Sequence, residues 1–178
     1  MITKSGYGLT RHELFSKYKG EHSILLETGT HKGDTVQTAL DLGFKKILSV
    51  EVVNDMYENC KVRFEKEIEK GTVILYEGSS SERIGEMLEQ IDSPILFWLD
   101  AHFGDGTPVW KELEAIKNHP IKTHTILIDD IPLYFTKSNL EENILQINPN
   151  YVFVYEDTLN EGINVTYPDY DLIAYIPQ

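Results

Sequence analysis

The stretch Glu27-Thr-Gly29-Thr-His-Lys-Gly33-Asp-Thr35 follows an apolar run and forms a turn that contains two glycines. The run, Ser23–Glu27, has the composition of a buried strand, and Asp34–Leu42 behind the turn has the apolar spacing of a helix. In an open α/β sheet, ligands bind beyond the carboxyl ends of the strands, where such a turn lies. The stretch therefore predicts a strand, a ligand-facing turn and a helix.

The same alternation continues along the chain. Apolar runs with few alternating polar residues indicate parallel strands that are covered on both faces. These runs are Ser23–Glu27, Lys46–Val52, Thr72–Tyr76, Pro94–Asp100 and Thr123–Ile128, and the helical segments between them are Asp34–Leu42, Asn54–Ile68, Ser80–Ile91 and Pro108–Asn118. The pattern predicts a doubly wound, Rossmann-like α/β sheet with right-handed crossovers.

The C-terminal part departs from this alternation. After a predicted helix at Leu140–Ile147, two strands at Tyr151–Tyr155 and Asp171–Ile176 are too close in sequence for a crossover helix. We therefore expect an antiparallel hairpin, with Gly162–Thr166 either lengthening its second strand or forming a separate edge piece. The whole sheet would have seven strands, five of them parallel.

The length and composition restrict the classes of protein that the chain could represent. Its 178 residues fit one domain, 1–178, in which 1–20 is an N-terminal extension and Thr10–Lys19 a helix that lies over the cleft. A formal charge of −13 disfavours nucleic acid and anionic membranes as partners. The single cysteine, Cys60, indicates a core residue in a reducing compartment, and with no leader or apolar span we expect the cytoplasm.

The glycine spacing of the first turn bears on the ligand. Gly29 would allow close approach of the backbone, and Gly33 would open the helix without a side chain in the way. The spacing lacks the third glycine of the pyrophosphate-binding fingerprint, which disfavours an NAD-dependent oxidoreductase. Glu27 would repel a pyrophosphate but suits the ammonium of a methionine moiety, which favours S-adenosylmethionine. A plain βα turn is the alternative.

Two further strand ends would complete the donor site. Glu51, at the end of the second strand, can accept hydrogen bonds from both ribose hydroxyls, or it is a surface glutamate. After the third strand, Gly78-Ser79-Ser80 either brackets an adenine ring or simply starts a helix. The residues that we expect to bind the donor are Glu27, Thr28, Gly29, Thr30, Gly33, Asp34, Thr35, Glu51, Gly78, Ser79, Ser80 and Asp100.

Three aspartates follow the fourth and fifth strands. Asp100 ends one buried run, and Asp129 with Asp130 ends the next. Unpaired carboxylates so close together would repel one another or take up protons, whereas Mg²⁺ prefers such oxygen ligands and could activate a hydroxyl. We therefore predict a metal site at Asp100, Asp129 and Asp130. In the alternative, Asp129 or Asp130 caps the next segment and Asp100 satisfies loop amides.

Several residues near these aspartates are candidates for catalysis or acceptor binding. His102 could act as a general base beside Asp100, orient the loop, or bind metal. The Phe103–Thr107 loop is glycine-containing, as suits a mobile acceptor loop, and Asp105 is a weaker candidate ligand. Trp98 is expected in the core, and Trp110 and Tyr134 are the better candidates to contact an acceptor.

These residues resemble the class I S-adenosylmethionine-dependent methyltransferases. The similar segments are LLETGTHKGDT, LSVEV, LYEGSS, FWLDAHFGDGT and TILIDDI, between Ile24 and Ile131. They look closest to small sugar O-methyltransferases of the macrocin type, although the chain lacks the long lid insertions of those enzymes. In metal-dependent relatives, an acidic residue after the fourth strand and an acidic pair after the fifth bind Mg²⁺, a pattern that maps onto Asp100, Asp129 and Asp130.

The resemblance implies an S-adenosylmethionine-dependent O-methyltransferase that acts on a hydroxyl of a sugar or other small molecule, with Mg²⁺ orienting that hydroxyl. Asp100 and His102 would be its catalytic residues. The main alternative is a protein of the same fold that binds S-adenosylmethionine without catalysis. The oligomeric state is left open.

Overall fold

The described residues form one sheet of seven strands in the computed structural model, which describes residues 8–102, 106–160 and 165–177. The strands are β1 (Ile24–Thr28), β2 (Lys46–Glu51), β3 (Val73–Glu77), β4 (Leu96–Leu99), β5 (Thr125–Ile128), β6 (Val152–Asn160) and β7 (Val165–Tyr175). The helices are α1 (Arg11–Tyr18), α2 (Asp34–Asp41), α3 (Asn54–Arg63), α4 (Glu65–Glu69), α5 (Ser80–Leu88), α6 (Val109–Asn118), α7 (Ile131–Tyr134) and α8 (Lys137–Leu145).

The strand order is β3-β2-β1-β4-β5-β7-β6. The first five strands run parallel, whereas β7 is antiparallel to both β5 and β6. The predicted architecture is therefore confirmed. Because the chain moves outward from β1 to β3 and then returns to place β4 beside β1, the strand order reverses between β1 and β4. A ligand crevice is expected at that reversal.

Successive residues of the parallel strands point to opposite faces, and helices cover both. Leu26 faces one apolar cluster and Leu25 the other. The first cluster includes residues of α5, α6 and α8, and the second includes residues of α1, α2 and α3. Trp98 belongs to the second cluster and is buried, as its position in the strand predicted. Burial on both faces explains why these strands read as continuous apolar runs.

The C-terminal hairpin is longer than its apolar pattern indicated. β6 and β7 continue through polar residues to Asn160 and from Val165, with a register irregularity between Glu156 and Thr158. Val165 and Thr166 belong to β7, so this end of Gly162–Thr166 lengthens the second strand. The rest of that segment lies outside the described residues.

Two helical regions differ from the sequence pattern. The segment predicted as one helix, Asn54–Ile68, divides at Phe64, whose φ of −112° and ψ of 23° lie outside the α region. The Phe64 side chain is buried at that point against Gly33. The short helix α7 follows Asp130, which adopts a left-handed φ of 59°.

The N-terminal helix α1 begins with a capping box. The Thr10 hydroxyl accepts a hydrogen bond from the Glu13 amide, and the Glu13 carboxylate accepts one from the Thr10 amide. Leu14 and Phe15 are fully buried in the cluster on the α2 and α3 face. The helix thus packs on the sheet, and its action as a cover of the cleft stays a prediction. In the part of the chain described, no helix has the length and apolar character needed to cross a membrane.

Candidate functional site

A cavity of about 760 Å³ opens at the carboxyl ends of β1, β2, β3 and β4. It therefore lies at the reversal of strand order that the topology defines. Of the residues predicted to bind the donor, it is lined by Gly29, Glu51, Gly78, Ser79, Ser80 and Asp100, whereas Glu27, Thr28, Thr30, Gly33, Asp34 and Thr35 lie outside its lining. His102 and Trp110 line it as well.

Gly29 has a conformation and a packing that require glycine. Its φ is +87°, and a Cβ there would stand 2.7 Å from the carbonyl oxygen of Asp100. Its amide donates to the Val50 carbonyl at 3.0 Å. The turn after β1 is therefore held between the ends of β2 and β4, where a bound molecule would meet its backbone.

Gly33 serves helix packing rather than the cavity. It has a φ of +81° before α2, and a Cβ there would lie 2.4 Å from a ring carbon of Phe64. Next to it, the Asp34 carboxylate pairs with Arg63 at 2.8 Å, and this hydrogen bond holds the pKa of Asp34 below its usual value. These two residues thus join the donor turn to α3.

Glu27 is fully buried beneath the turn. Its Oε2 accepts a hydrogen bond from the Ser49 hydroxyl at 2.6 Å, and Ser49 in turn contacts the Thr30 hydroxyl at 2.6 Å. Its Oε1 has no hydrogen-bond partner among the described residues. Burial raises the pKa of Glu27 to about 7, against the opposing influence of the Ser49 and Thr35 hydroxyls and the charge of Arg11.

Glu51 is the carboxylate that reaches the cavity from the donor side. Its Oε2 accepts the His31 amide at 2.6 Å, and its Oε1 accepts the Val53 amide at 2.8 Å. These two bonds fix the carboxylate between the first turn and the loop after β2, and each oxygen keeps a further lone pair. The arrangement suits acceptance of hydrogen bonds from adjacent hydroxyls.

The turn after β3 forms another wall. Gly78 has a φ of +127°, and its amide donates to the Glu51 carbonyl at 2.9 Å. Ser80 starts α5 and is buried, and its hydroxyl has no hydrogen-bond partner among the described residues. Buried Glu112 of α6 lies near it, and burial raises the pKa of Glu112 to about 7 although the Ser80 and Thr28 hydroxyls oppose the rise.

Beyond β4, three side chains converge at the cavity edge. His102 lies between two carboxylates, with its Nδ1 3.5 Å from Asp100 Oδ1 and its Nε2 3.0 Å from Asp130 Oδ2. One ligand atom from each of these three residues lies within 4.8 Å of the others, so together they could hold a metal ion. The left-handed conformation of Asp130 turns its side chain toward this group.

The electrostatics of this group are uneven. Burial and the neighbouring Asp129 raise the pKa of Asp100 well above its usual range. Burial is the largest influence on the pKa of Asp130 and acts to raise it, but the hydrogen bonds of His102 and Tyr170 and the charge of His102 together outweigh burial and lower that pKa. Burial acts to lower the pKa of His102, whereas Asp130 acts to raise it. That pKa is raised overall.

Asp129 lies beside the group but outside it. Its Oδ1 accepts the Asp130 amide at 2.7 Å, and its carboxyl faces buried Asp171 of β7. Burial and then Asp129 raise the pKa of Asp171 well above its usual range, and Asp171 Oδ1 has no hydrogen-bond partner among the described residues. Sequence reasoning missed Asp171, whose only signal is an acidic residue just before the apolar run Leu172–Ala174.

Aromatic rings border the group. Tyr134 lies with its ring centroid 4.7 Å from that of His102, and Trp110 packs edge-on against Phe135 at 5.8 Å. Trp110 and Tyr134, both predicted to contact an acceptor, are 40% and 43% exposed, so a bound molecule could reach them. The loop residues Phe103–Asp105, which include the candidate ligand Asp105, lie outside the described residues.

No protein-family model and no curated protein matches the chain. Solved structures do match in fold, including an O-methyltransferase from Bacillus cereus in complex with SAH (13% identity, 94% of this chain and 79% of that one, TM-score 0.63). An rRNA methylase from Streptococcus thermophilus matches at 12% identity over 94% of each chain, with a TM-score of 0.62. The SAH-bound methyltransferase PaMTH1 of Podospora anserina matches at 14% identity over 88% of this chain and 72% of that one, with a TM-score of 0.57.

The sheet, with its two-sided helical cover and ligand crevice at the strand reversal, defines a Rossmann-like α/β protein. The antiparallel hairpin beside β5 distinguishes this sheet from other Rossmann-like sheets. The chain has the fold of the class I methyltransferases.

Proposed function

We infer that the chain is an S-adenosylmethionine-dependent O-methyltransferase that acts on a hydroxyl of a sugar or other small molecule, assisted by Mg²⁺. One observation carries this proposal. Asp100 and His102, which with Asp130 form one group of possible metal ligands, line the same cavity as Gly29 and Glu51. A donor held by the turn would thus lie next to acidic and basic groups suited to activate an acceptor.

The donor would extend along the cavity floor from β4 to β3. Glu51 would accept hydrogen bonds from the ribose hydroxyls, since backbone amides hold both its oxygens and the residue lines the cavity. Gly78, Ser79 and Ser80 would border the adenine. Glu27 would act from below the turn, where a buried carboxyl attracts the ammonium at the methionine end without touching it.

The residues present fit a divalent cation. Burial, and after it the neighbouring carboxyls, raise the pKa values of Asp100 and Asp129, and a hard cation with oxygen ligands would relieve both effects. We propose that Asp100, Asp129 and Asp130 hold Mg²⁺. When bound there, the ion would lower the pKa of an acceptor hydroxyl.

His102 is proposed as the general base. Its Nε2 contacts Asp130 at 3.0 Å, which favours the tautomer with the proton on Nε2 and leaves Nδ1 as the acceptor. As the acceptor oxygen bonds to the methyl carbon, the carbon–sulfur bond breaks and the sulfur keeps the electron pair. The hydroxyl proton passes to Nδ1, and S-adenosylhomocysteine is released.

The acceptor is proposed to be a small molecule. Trp110 lines the cavity and Tyr134 lies beside His102 at its edge, and both side chains are partly exposed. Aromatic rings pack on the C–H side of a sugar as well as on a flat ring. The charge of −13 disfavours nucleic acid and anionic membranes as substrates. We place the reaction in the cytoplasm, on the grounds of the single cysteine.

Calorimetry with S-adenosylhomocysteine tests the donor part of this proposal, and we expect binding at a ratio of one to one. Transfer of a labelled methyl group from S-adenosylmethionine to a panel of sugars and phenols tests the rest. Activity should vanish with EDTA and return with Mg²⁺, and Asp129→Ala should copy the effect of EDTA while the exposed Asp92→Asn variant stays active. Failure to bind the donor product would overturn the proposal, and binding without turnover or metal affinity would favour a non-catalytic donor-binding protein.

A further inference from the structure

Arg11 is a half-buried cation that no part of the proposed mechanism uses. It is the first residue of α1, and its guanidinium carbon lies 5.5 Å from the ring centroid of Trp98. Phe15 of the same helix packs edge-on against that ring at 5.2 Å. These two contacts fix the start of α1 against the end of β4.

The position brings the guanidinium to the edge of the candidate site. The Trp98 indole donates to Asp100 Oδ2 at 3.3 Å, so one ring contacts both Arg11 and a carboxyl of the site. The charge also reaches the donor turn. Burial raises the pKa of Glu27, and the Arg11 charge is among the influences that oppose this rise.

Arg11 is unpaired although it has acidic neighbours. Among the described residues it forms neither an ion pair nor a hydrogen bond: it stacks on Trp98, and its charge acts on Glu27 and Asp100 without direct contact. A guanidinium has five N–H donors in a fork that matches a carboxylate in two-point contact. A half-buried fork with no protein partner is suited to bind a carboxylate from a ligand.

The donor of the proposed reaction carries such a carboxylate at its methionine end, where the ammonium and sulfonium are both positive. Other cations near the turn are less suited. Arg63 is engaged with Asp34 and the Lys32 carbonyl, and Lys111 stands on α6 beside Trp110. We propose that Arg11 binds the carboxylate of the methionine moiety of S-adenosylmethionine, an inference that rests on the proposed donor.

The test compares two ligands on the full chain by calorimetry. S-adenosylhomocysteine has the amino-acid group, and 5′-methylthioadenosine shares the adenosine and thioether but lacks it. We expect Arg11→Ala to weaken binding of the first by about tenfold or more and to leave the second within about twofold. Arg11→Lys should lose less than Arg11→Ala, because the charge remains.

Two matched variants complete the experiment. Lys19 lies at the far end of α1, and its ammonium stands over the ring of Phe44. Lys19→Ala therefore removes a comparable cation and should change the affinity for neither ligand. Lys111→Ala removes the cation of the opposite wall. The inference is overturned if Arg11→Ala leaves S-adenosylhomocysteine binding unchanged, if it weakens both ligands equally, or if only Lys111→Ala shows the selective loss. Should the unaltered chain bind neither ligand, the proposed function itself fails.

Discussion

Gly29 and Asp100 are in backbone contact, since a Cβ on the glycine would stand 2.7 Å from the aspartate carbonyl oxygen. The contact joins the turn after β1 to the end of β4, and so joins the donor side of the cavity to the acidic side. The separation between the two halves of the candidate site is therefore set by main chain. Side-chain changes elsewhere should alter it little.

Gly29→Ala should damage both stability and donor binding. The left-handed φ of +87° disfavours alanine by about 1–2 kcal/mol, and the clash with Asp100 adds to this. Gly43→Ala is the control, because Gly43 has a similar φ of +76° but open space where the Cβ would go. Urea unfolding should show a larger loss for Gly29→Ala, and calorimetry should show weaker S-adenosylhomocysteine binding in that variant alone. Equal losses of stability would mean that the close approach to Asp100 is unimportant.

Glu51→Gln should weaken S-adenosylhomocysteine binding by about tenfold or more. A glutamine has one oxygen, so it cannot accept both the His31 and Val53 amides as Glu51 does, and its NH₂ cannot accept from a ribose hydroxyl. Glu77→Gln is a matched control, since Glu77 is paired with Glu51 in the β2–β3 register but is exposed. If both variants bind the donor product as the unaltered chain does, Glu51 has no part in the donor site.

Glu27→Gln should stabilise the protein at pH 8 but not at pH 4.5. Burial raises the pKa of Glu27 from 4.5 to about 7, so the folded state retains a proton that the unfolded chain has lost. The contribution of Glu27 to the stability of the unaltered chain is therefore complete below pH 4.5 and is lost as the pH rises through about 7. The free energy of unfolding should fall by about 3 kcal/mol over this range. Urea unfolding of the variant and of exposed Glu21→Gln at both pH values measures the change. A loss of stability at pH 8 would show that the folded state favours the Glu27 carboxylate and would contradict the raised pKa.

His124→Gln should reduce the loss of stability in acid. His124 Nδ1 accepts the Ile95 amide at 3.2 Å, and its Nε2 faces His119 Nδ1 at 3.3 Å, so the ring holds one proton. Burial and then His119 lower its pKa from 6.5 to about 3. Because the unfolded chain takes up a proton below 6.5 and the folded chain does not, this ring removes about 1.4 kcal/mol of stability per pH unit between 6.5 and 3.

Unfolding in urea at pH 7.5, 6.5, 5.5 and 4.5 gives the measurement for His124. The difference in stability between the unaltered chain and His124→Gln should narrow as the pH falls. His12→Gln, on the exposed face of α1, should follow the unaltered chain throughout. A constant difference across the series would show that folding does not lower the pKa of His124.

The sequence predicted the fold because the determining signals are local. Apolar runs such as Lys46–Val52 lie on strands covered on both faces, and the short interval before Asp171 excluded a crossover helix. Features that depend on contacts between residues far apart in sequence were not predicted. The hairpin extends through polar residues because pairing between β6 and β7 stabilises them, and Phe64 divides a helix because its ring packs on Gly33, far away in sequence.

The candidate site was predictable by its strand ends but not by its side-chain directions. Glu51 and Asp100 line the cavity, whereas the Glu27 side chain lies beneath the turn after β1 and contacts Ser49. The Asp129 side chain faces Asp171, which lies on β7, far along the chain from β5. Its direction therefore depends on the fold and cannot be read from the local sequence. A strand end is visible in sequence, but the neighbour that attracts its side chain is not.

The insertion of β7 between β5 and β6 has a consequence for the order of folding. Residues of the donor side, from Gly29 to His102, are synthesised well before Asp171, the neighbour of Asp129. During synthesis, the outer edge of β5 therefore stays without its sheet partner until β7, which follows β6 in the chain, has been made and pairs with β5 and β6. Strands β1 to β4, at whose carboxyl ends the cavity opens, can therefore pair early, whereas Asp129 meets Asp171 only after β7 has been synthesised.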